Sequence, residues 1–282
     1  MSTLIEDRRK LTVGYWFARL LTVLLVFFTF VPFLLMLFMS VKDSTSIQFN
    51  FWALPEQIKI ENYINAFSGV IKPIFNSLLI GALSIAGIVI LSSLAGYSFG
   101  RYDFPNKDLC YFAIIAVMMI PGILMMVPQF LVIVKLHLLN SYWGLILPYI
   151  AGMQIFGILI SRSFFASIPN EMFEAARIEG AGELYALLKI ALPISTPIMI
   201  TIGITSLISV YNDYVWPRLI LSGEEKKTFC MAVVTLSTGR GGNVDYGLTC
   251  AGYVLGSIPM FIITRLCLKQ FLYGMLEGAI KA

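Results

Sequence analysis

The sequence predicts an all-α integral membrane protein with six transmembrane helices, and three observations carry that prediction. Of the 282 residues, 58% are hydrophobic and only 13% charged, roughly half the charged share of an ordinary soluble domain. Mean hydropathy is +0.84, more apolar surface than a water-soluble fold of this length can hide. Six windows of 18 or more residues carry no Asp, Glu, Lys or Arg: 20–41, 73–100, 109–134, 136–161, 190–212 and 246–264. Each supplies the roughly 20 apolar residues that a helix needs to cross a bilayer core. None alternates with a period of two, which excludes a closed barrel.

The first window is too long for a removable signal peptide, and no small-residue cleavage site follows it at 36–42. It reads as a signal anchor behind the basic segment Arg8-Arg9-Lys10. With the N-terminus inside, 12 of the 20 Lys and Arg fall on the inner side, so both termini are expected in the cytoplasm. Residues 1–19 are then a cytoplasmic N-terminal segment, and 20–282 a six-helix domain carrying an inner loop at 162–193. Windows two and three enclose a short inner loop, 101–108. The outer segments lie near 42–72, 135–141 and 213–245. Trp16, Trp52, Tyr97, Tyr102, Trp143, Tyr214 and Trp216 stand near the proposed boundaries, as interfacial anchors or as ordinary packing aromatics. Pro32, Pro121, Pro128, Pro148, Pro197 and Pro259 fall inside spans, where each removes a backbone donor and favours a kink.

Composition excludes several function classes. A net charge of +4 without a long basic run gives no reason to expect nucleic acid. Cys110, Cys230, Cys250 and Cys267 show no CxxC spacing, and His137 is the chain's one histidine, so no metal site is expected. A Cys230–Cys250 disulfide is open if both face outward. No Gly is followed by Lys, so the chain has no phosphate loop of the GxxxxGK[ST] kind. No nucleophile–base arrangement is visible, and the chain reads as no enzyme.

The loop between the fourth and fifth windows has a shape of its own. Pro169 suits a first helical turn, and Glu171 and Glu174 lie where the helix dipole favours negative charge. Gly180 and Gly182 permit the left-handed conformations that end a helix. A second helical run over 184–192 is expected to stop at Pro193. Small alanines flanked by a carboxylate form a knob that another protein can clasp, although an inert connector has the same local chemistry.

Glu174-Ala175-Ala176, three residues, Gly180, nine residues, then Ile190-x-Leu192-Pro193 resembles the EAA motif of ABC-importer permeases, with every spaced position met. Asn62-Tyr63-x-x-Ala66-Phe67, Asn76-Ser77-Leu78, Asn212-Asp213-Tyr214-x-Trp216-Pro217 and Gly274-x-x-x-Gly278-Ala279-x-Lys281 are similar to the carbohydrate branch, in particular the second permease of maltose-type systems. Tyr211 stands where that branch more often has tryptophan. The resemblance, from about Pro55 onward, implies a type I ABC importer permease fold in a bacterial cytoplasmic membrane. It implies a coupling helix at Glu174–Gly180 seated on an ATPase and half of a translocation pathway, for a sugar or oligosaccharide. It implies as partners a second permease, two nucleotide-binding subunits carrying ATP and Mg, an extracytoplasmic solute-binding protein, and membrane lipid.

Polar groups within apolar spans are candidates for the pathway: Asn76, Gln154, Tyr211, Asn212 and Asp213, with Gln129, Ser206 and Ser209 beside them. Planar amides and aromatic faces suit a sugar. Interhelical hydrogen bonding or capping accounts equally for each, and for Asp213 above all. The alternatives are an importer for a peptide, amino acid, polyamine or phosphate ester, or an ion-coupled secondary transporter. The latter wants charges inside its spans, and here they stand only at the edges.

Overall fold

The computed structural model describes residues 13–237 and 244–280, with side chains at 14–237 and 244–272. The basic segment Arg8-Arg9-Lys10 and Lys281 lie outside the described residues, and so do the side chains of the 274–279 tail.

Every described element is helical. The order is α1 Val13–Ser40, α2 Ser44–Phe49, α3 Glu61–Arg101, α4 Lys107–Met118, α5 Gly122–Lys135, α6 Trp143–Ala166 and α7 Asn170–Ile178. Then follow α8 Glu183–Ala186, a wide π-type turn Leu187–Ala191, α9 Leu192–Ile194, α10 Thr196–Asn212, α11 Val215–Ile220, α12 Phe229–Ser237 and α13 Tyr246–Ile280. Four unbroken helices, namely α1, α3, α6 and α13, are long and apolar enough to cross a membrane, and six spans result if each of two bent pairs counts as one.

Two of the expected proline kinks are sharp breaks, and proline chemistry explains them. Between α4 and α5 the chain turns by 99°. Met119 and Ile120 close the last turn of α4 on Ala116 and Val117, and Pro121, extended at ψ 125°, supplies no N–H to carry the helix on. The second bend, 75°, separates α9 from α10, with Pro197 in the first turn of α10. Pro193 does not stop the preceding run, as the sequence suggested. The Leu192 N–H reaches back five residues to Leu187 O, and this wider turn relieves the clash of the proline ring with the carbonyl four residues behind it. Pro32, Pro128, Pro148 and Pro259 sit within continuous helices.

Two compact units emerge among the described residues: those up to Phe67 with Leu236–Leu255, and Ser68–Thr235 with those from Gly256 onward. In the first, residues 14–30 of α1 are exposed throughout. The buried Asn62 amide donates to the Ser40 and Lys42 carbonyls, and the Lys42 ammonium to those of Asn50, Phe51 and Ala53. Tyr63 shares a 2.6 Å hydrogen bond with Ser40. The Asn62-Tyr63 pair noted in the sequence therefore closes a turn.

The second unit holds the main core. Close passage of α3 along α6 rests on small residues: a Cβ at Gly96 would lie 2.4 Å from Ser161 Cβ, and one at Gly157 2.6 Å from Ser92 Cβ. One apolar cluster gathers Ile80, Leu145, Ile146, Val210, Trp216 and Met231. Another gathers Tyr97, Phe165, Phe173, Leu187 and Ala191. Tyr97 and Trp216 are thus packed inside, at 4% and 6% exposure, and do not anchor at a lipid boundary, whereas Trp16, Trp52 and Trp143 are exposed. All four cysteines are free thiols. Cys230 Sγ–H is given to Tyr211 O, so the Cys230–Cys250 pairing is not formed.

Candidate functional site

The loop after α6 folds as the residues dictate. Pro169 opens α7, and Glu171 lies in its first turn, Arg177 in its last. Phe173 and Ala176, three apart, turn to the protein and are buried. Phe173 is held between Tyr97 and the Arg101 guanidinium, which stacks 4.0 Å from its ring centre and donates to Ile168 O at 3.0 Å. The C-terminus of α7 is a Schellman turn: the Ala181 N–H reaches Ala176 O at 2.9 Å, and the Gly180 N–H reaches Arg177 O at 3.0 Å. This requires φ +84° at Gly180, a region that side-chain-bearing residues avoid. Gly182 departs from the expectation. Its φ is −76° with ψ 166°, ordinary extended backbone, and a Cβ there meets nothing within 4 Å.

Glu183 then locks the two helices together, accepting from Tyr102 Oη at 2.6 Å and from Arg177 at 2.7 Å. Burial, and after it the Glu183 carboxylate, holds the Tyr102 hydroxyl above the ordinary tyrosine range, so it stays a donor. Between these residues and Asn170, Phe173 and Glu174 lies a polar crevice of about 180 Å³.

The motif residues distribute themselves over two faces. Glu174, Ala175, Gly180 and Pro193 are exposed, Ala176 is buried, and Ile190 and Leu192 pack half-buried on the Tyr97–Phe173 cluster. The same loop exposes Met172 (42%), Ile178 (87%), Leu184 (64%), Tyr185 (57%) and Leu188 (50%). Sequence reasoning missed these five. Their signal was present, since Ile178 is an apolar residue on the wrong face of an otherwise polar, amphipathic helix.

The pathway candidates do not come together as one site. Asn76 donates to the Glu225 and Lys227 carbonyls at 3.0 and 2.9 Å, and Ser77 Oγ accepts from the Phe229 N–H. The Tyr211 hydroxyl donates to Gly256 O at 2.8 Å, and its ring stacks on Phe229. Asp213 accepts from the N–H groups of Val215 and Trp216, which caps α11, and from Tyr149 Oη at 2.7 Å. Gln154 is half-buried and Asn212 exposed, and their amides make no hydrogen bond among the described residues. A crevice of about 280 Å³ between α6 and α10 is lined by Met153, Phe156, Thr205, Ser206 and Ser209. Among the described residues, no three of His, Cys, Asp and Glu converge as metal ligands.

Comparison with known proteins places this geometry. The chain is 28% identical to the diacetylchitobiose uptake system permease protein NgcG of Streptomyces coelicolor, over 98% of this chain and 91% of that protein. It is 29% identical to the arabinooligosaccharides transport system permease protein AraQ of Halalkalibacterium halodurans, over 96% and 95%. Its fold superposes on a chain of a bacterial ABC transporter involved in the import of alginate, with a TM-score of 0.82 at 21% identity, over 93% of this chain and 98% of that one. The architecture is that of type I ABC importer permeases. The model of the family described as binding-protein-dependent transport system inner membrane component matches residues 88–273, and the chain belongs to that family: it is a multi-pass permease subunit of an ABC importer rather than a catalytic enzyme.

Proposed function

We propose that the chain forms half of the translocation pathway of an ATP-driven oligosaccharide importer and couples to its ATPase through residues 174–193. One observation carries the coupling reading: the loop is rigidly anchored from below while its outer surface presents uncovered apolar side chains. Ile178, one turn beyond Glu174, is exposed, and so are Leu184, Tyr185 and Leu188 in the helical run that follows; apolar side chains left in solvent suit a protein partner. Motion of that partner on ATP binding would reach the spans directly, because Phe173 and Ile190 belong to the same packed cluster as Tyr97 of α3. On this reading the loop and both termini are cytoplasmic. ATP and Mg sit on two nucleotide-binding subunits, a second permease completes the pathway, and an extracytoplasmic binding protein delivers the solute.

The carbohydrate assignment is supported by relatives whose own names specify diacetylchitobiose and arabinooligosaccharides. The free amides of Gln154 and Asn212 are the pathway groups best suited to hydroxyl-rich solutes. Thermal-shift screening of the cognate binding protein should show stabilisation by oligosaccharides, and stabilisation by amino acids or peptides alone would sink this assignment. For coupling, Gly180→Leu should abolish uptake while the chain still reaches the membrane with its partner permease. Uptake at the unmodified rate would remove the loop from the mechanism.

A further inference from the structure

A second polar feature lies apart from the loop's outer surface, where α3 ends, α4 begins and α6 ends. We propose that this crevice holds the headgroup of an anionic phospholipid. Its volume is about 580 Å³, within the range of small-ligand sites. Lys107 and Arg162 supply two cations and Ser163 a hydroxyl, while Phe99, Leu159 and Phe164 form an apolar wall.

Lys107 donates to Asp103 at 3.0 Å, whereas Arg162 is poorly neutralised. Arg162 stacks its guanidinium 3.8 Å over the Tyr111 ring, which fixes its plane and leaves the N–H edge free. Its ion pair with Asp108 is 3.9 Å long, and among the described residues no hydrogen bond engages those N–H groups. The Asp108 side chain is 78% exposed, and Asp103, the partner of Lys107, is fully exposed, so both carboxylates are largely spent on water. A planar guanidinium with unused donors beside an ammonium matches a phosphodiester.

The apolar wall selects a lipid over a free anion. Leu159 and Phe164 are half-buried, and an acyl chain covers that remaining apolar surface while a hydrated phosphate leaves it in water. All of these residues stand near helix ends, the depth at which headgroups lie. The inference needs only membrane residence and is independent of the solute carried.

The test uses the purified importer complex, with native mass spectrometry counting retained lipid. Phosphatidylglycerol should be retained over phosphatidylcholine, and millimolar inorganic phosphate should not displace it. The pair Lys107→Gln with Arg162→Gln should weaken phosphatidylglycerol binding roughly thirty-fold. Asp108→Asn, a change at an exposed carboxylate, should strengthen it even if the double variant assembles poorly. Equal retention of the two lipids, displacement by inorganic phosphate, or no gain in Asp108→Asn would each overturn the proposal.

Discussion

Two regions of the larger unit hang on the same helix and use it in opposite ways. Asn76 and Ser77 of α3 grip the segment ahead of α12, while Tyr97 and Arg101, about 30 Å further along the helix, grip the loop that carries α7 and α8. At the first region the Asn76 amide, the Ser77 and Tyr211 hydroxyls and the Asp213 carboxylate each pair within the protein. At the second, aromatic anchors turn inward and apolar side chains are left outside, with Ile178 at 87% exposure. A region whose polar groups pair within the protein suits a rigid frame, and one that leaves apolar groups uncovered suits a partner. On the proposed coupling reading, the contrast separates a frame from a docking surface.

The largest expected effect breaks the docking region from beneath. Phe173→Ala removes a buried ring held by Tyr97 and Arg101, at a cost of about 3–5 kcal/mol borne by the loop. Limited trypsinolysis at Arg177 should accelerate and uptake should vanish while the spans remain folded. Unchanged cleavage would mean that the loop is held by something other than this anchor.

The frame is best broken at Gly256. A Cβ there would lie 1.9 Å from the Phe229 ring, which cannot retreat because it stacks on Tyr211 at 5.1 Å. Gly256→Ala should cost about 1–3 kcal/mol, read as a lowered thermal midpoint of the purified complex. Cleavage at Arg177 should stay at its normal rate, and a coupled change would show that the two regions are one cooperative structure.

A finer comparison lies within the loop. Gly180→Ala forces a side chain into the left-handed region at about 1–2 kcal/mol, whereas Gly182→Ala should stay within about 0.5 kcal/mol. Stimulation of the assembled ATPase by loaded binding protein should fall several-fold in the first and hold in the second. Equal losses would point to partner contact at both positions and not to backbone strain at one.

How much of this was legible in the sequence follows from the kind of signal each feature leaves. The all-helical, multi-span class came through because charge-free length is a one-dimensional property, and six spans result where each bent pair counts as one. Kinks were expected at all six in-span prolines, but which ones break the helix did not come through: Pro32 and Pro148 carry the same local chemistry as Pro121 inside continuous helices, and neighbours decide which proline breaks. The loop's helix–turn–helix was readable from Pro169, Glu171 and Gly180, all local effects. Asn76, Tyr211 and Asp213 were read as pathway candidates because polarity within a span is visible in sequence. Their partners are not, since Asn76 meets Lys227 across 151 positions and Tyr211 meets Gly256 across 45.

That distinction yields the smallest structural effect and the sharpest functional one. Gln154 and Asn212, like Gln129, have no hydrogen-bond partner among the described residues, so truncating either of the first two leaves no buried group unsatisfied. Gln154→Ala and Asn212→Ala should each change stability by no more than about 0.5 kcal/mol. Asp213→Ala, by contrast, strips both the cap of α11 and the Tyr149 contact, and should lower the thermal midpoint. If an amide touches the solute, its variant should lose uptake at low solute concentration while keeping the normal thermal midpoint and ATPase rate. Full uptake in both variants would assign every solute contact to other residues or to the partner permease, and this chain's share of the pathway would then be a wall.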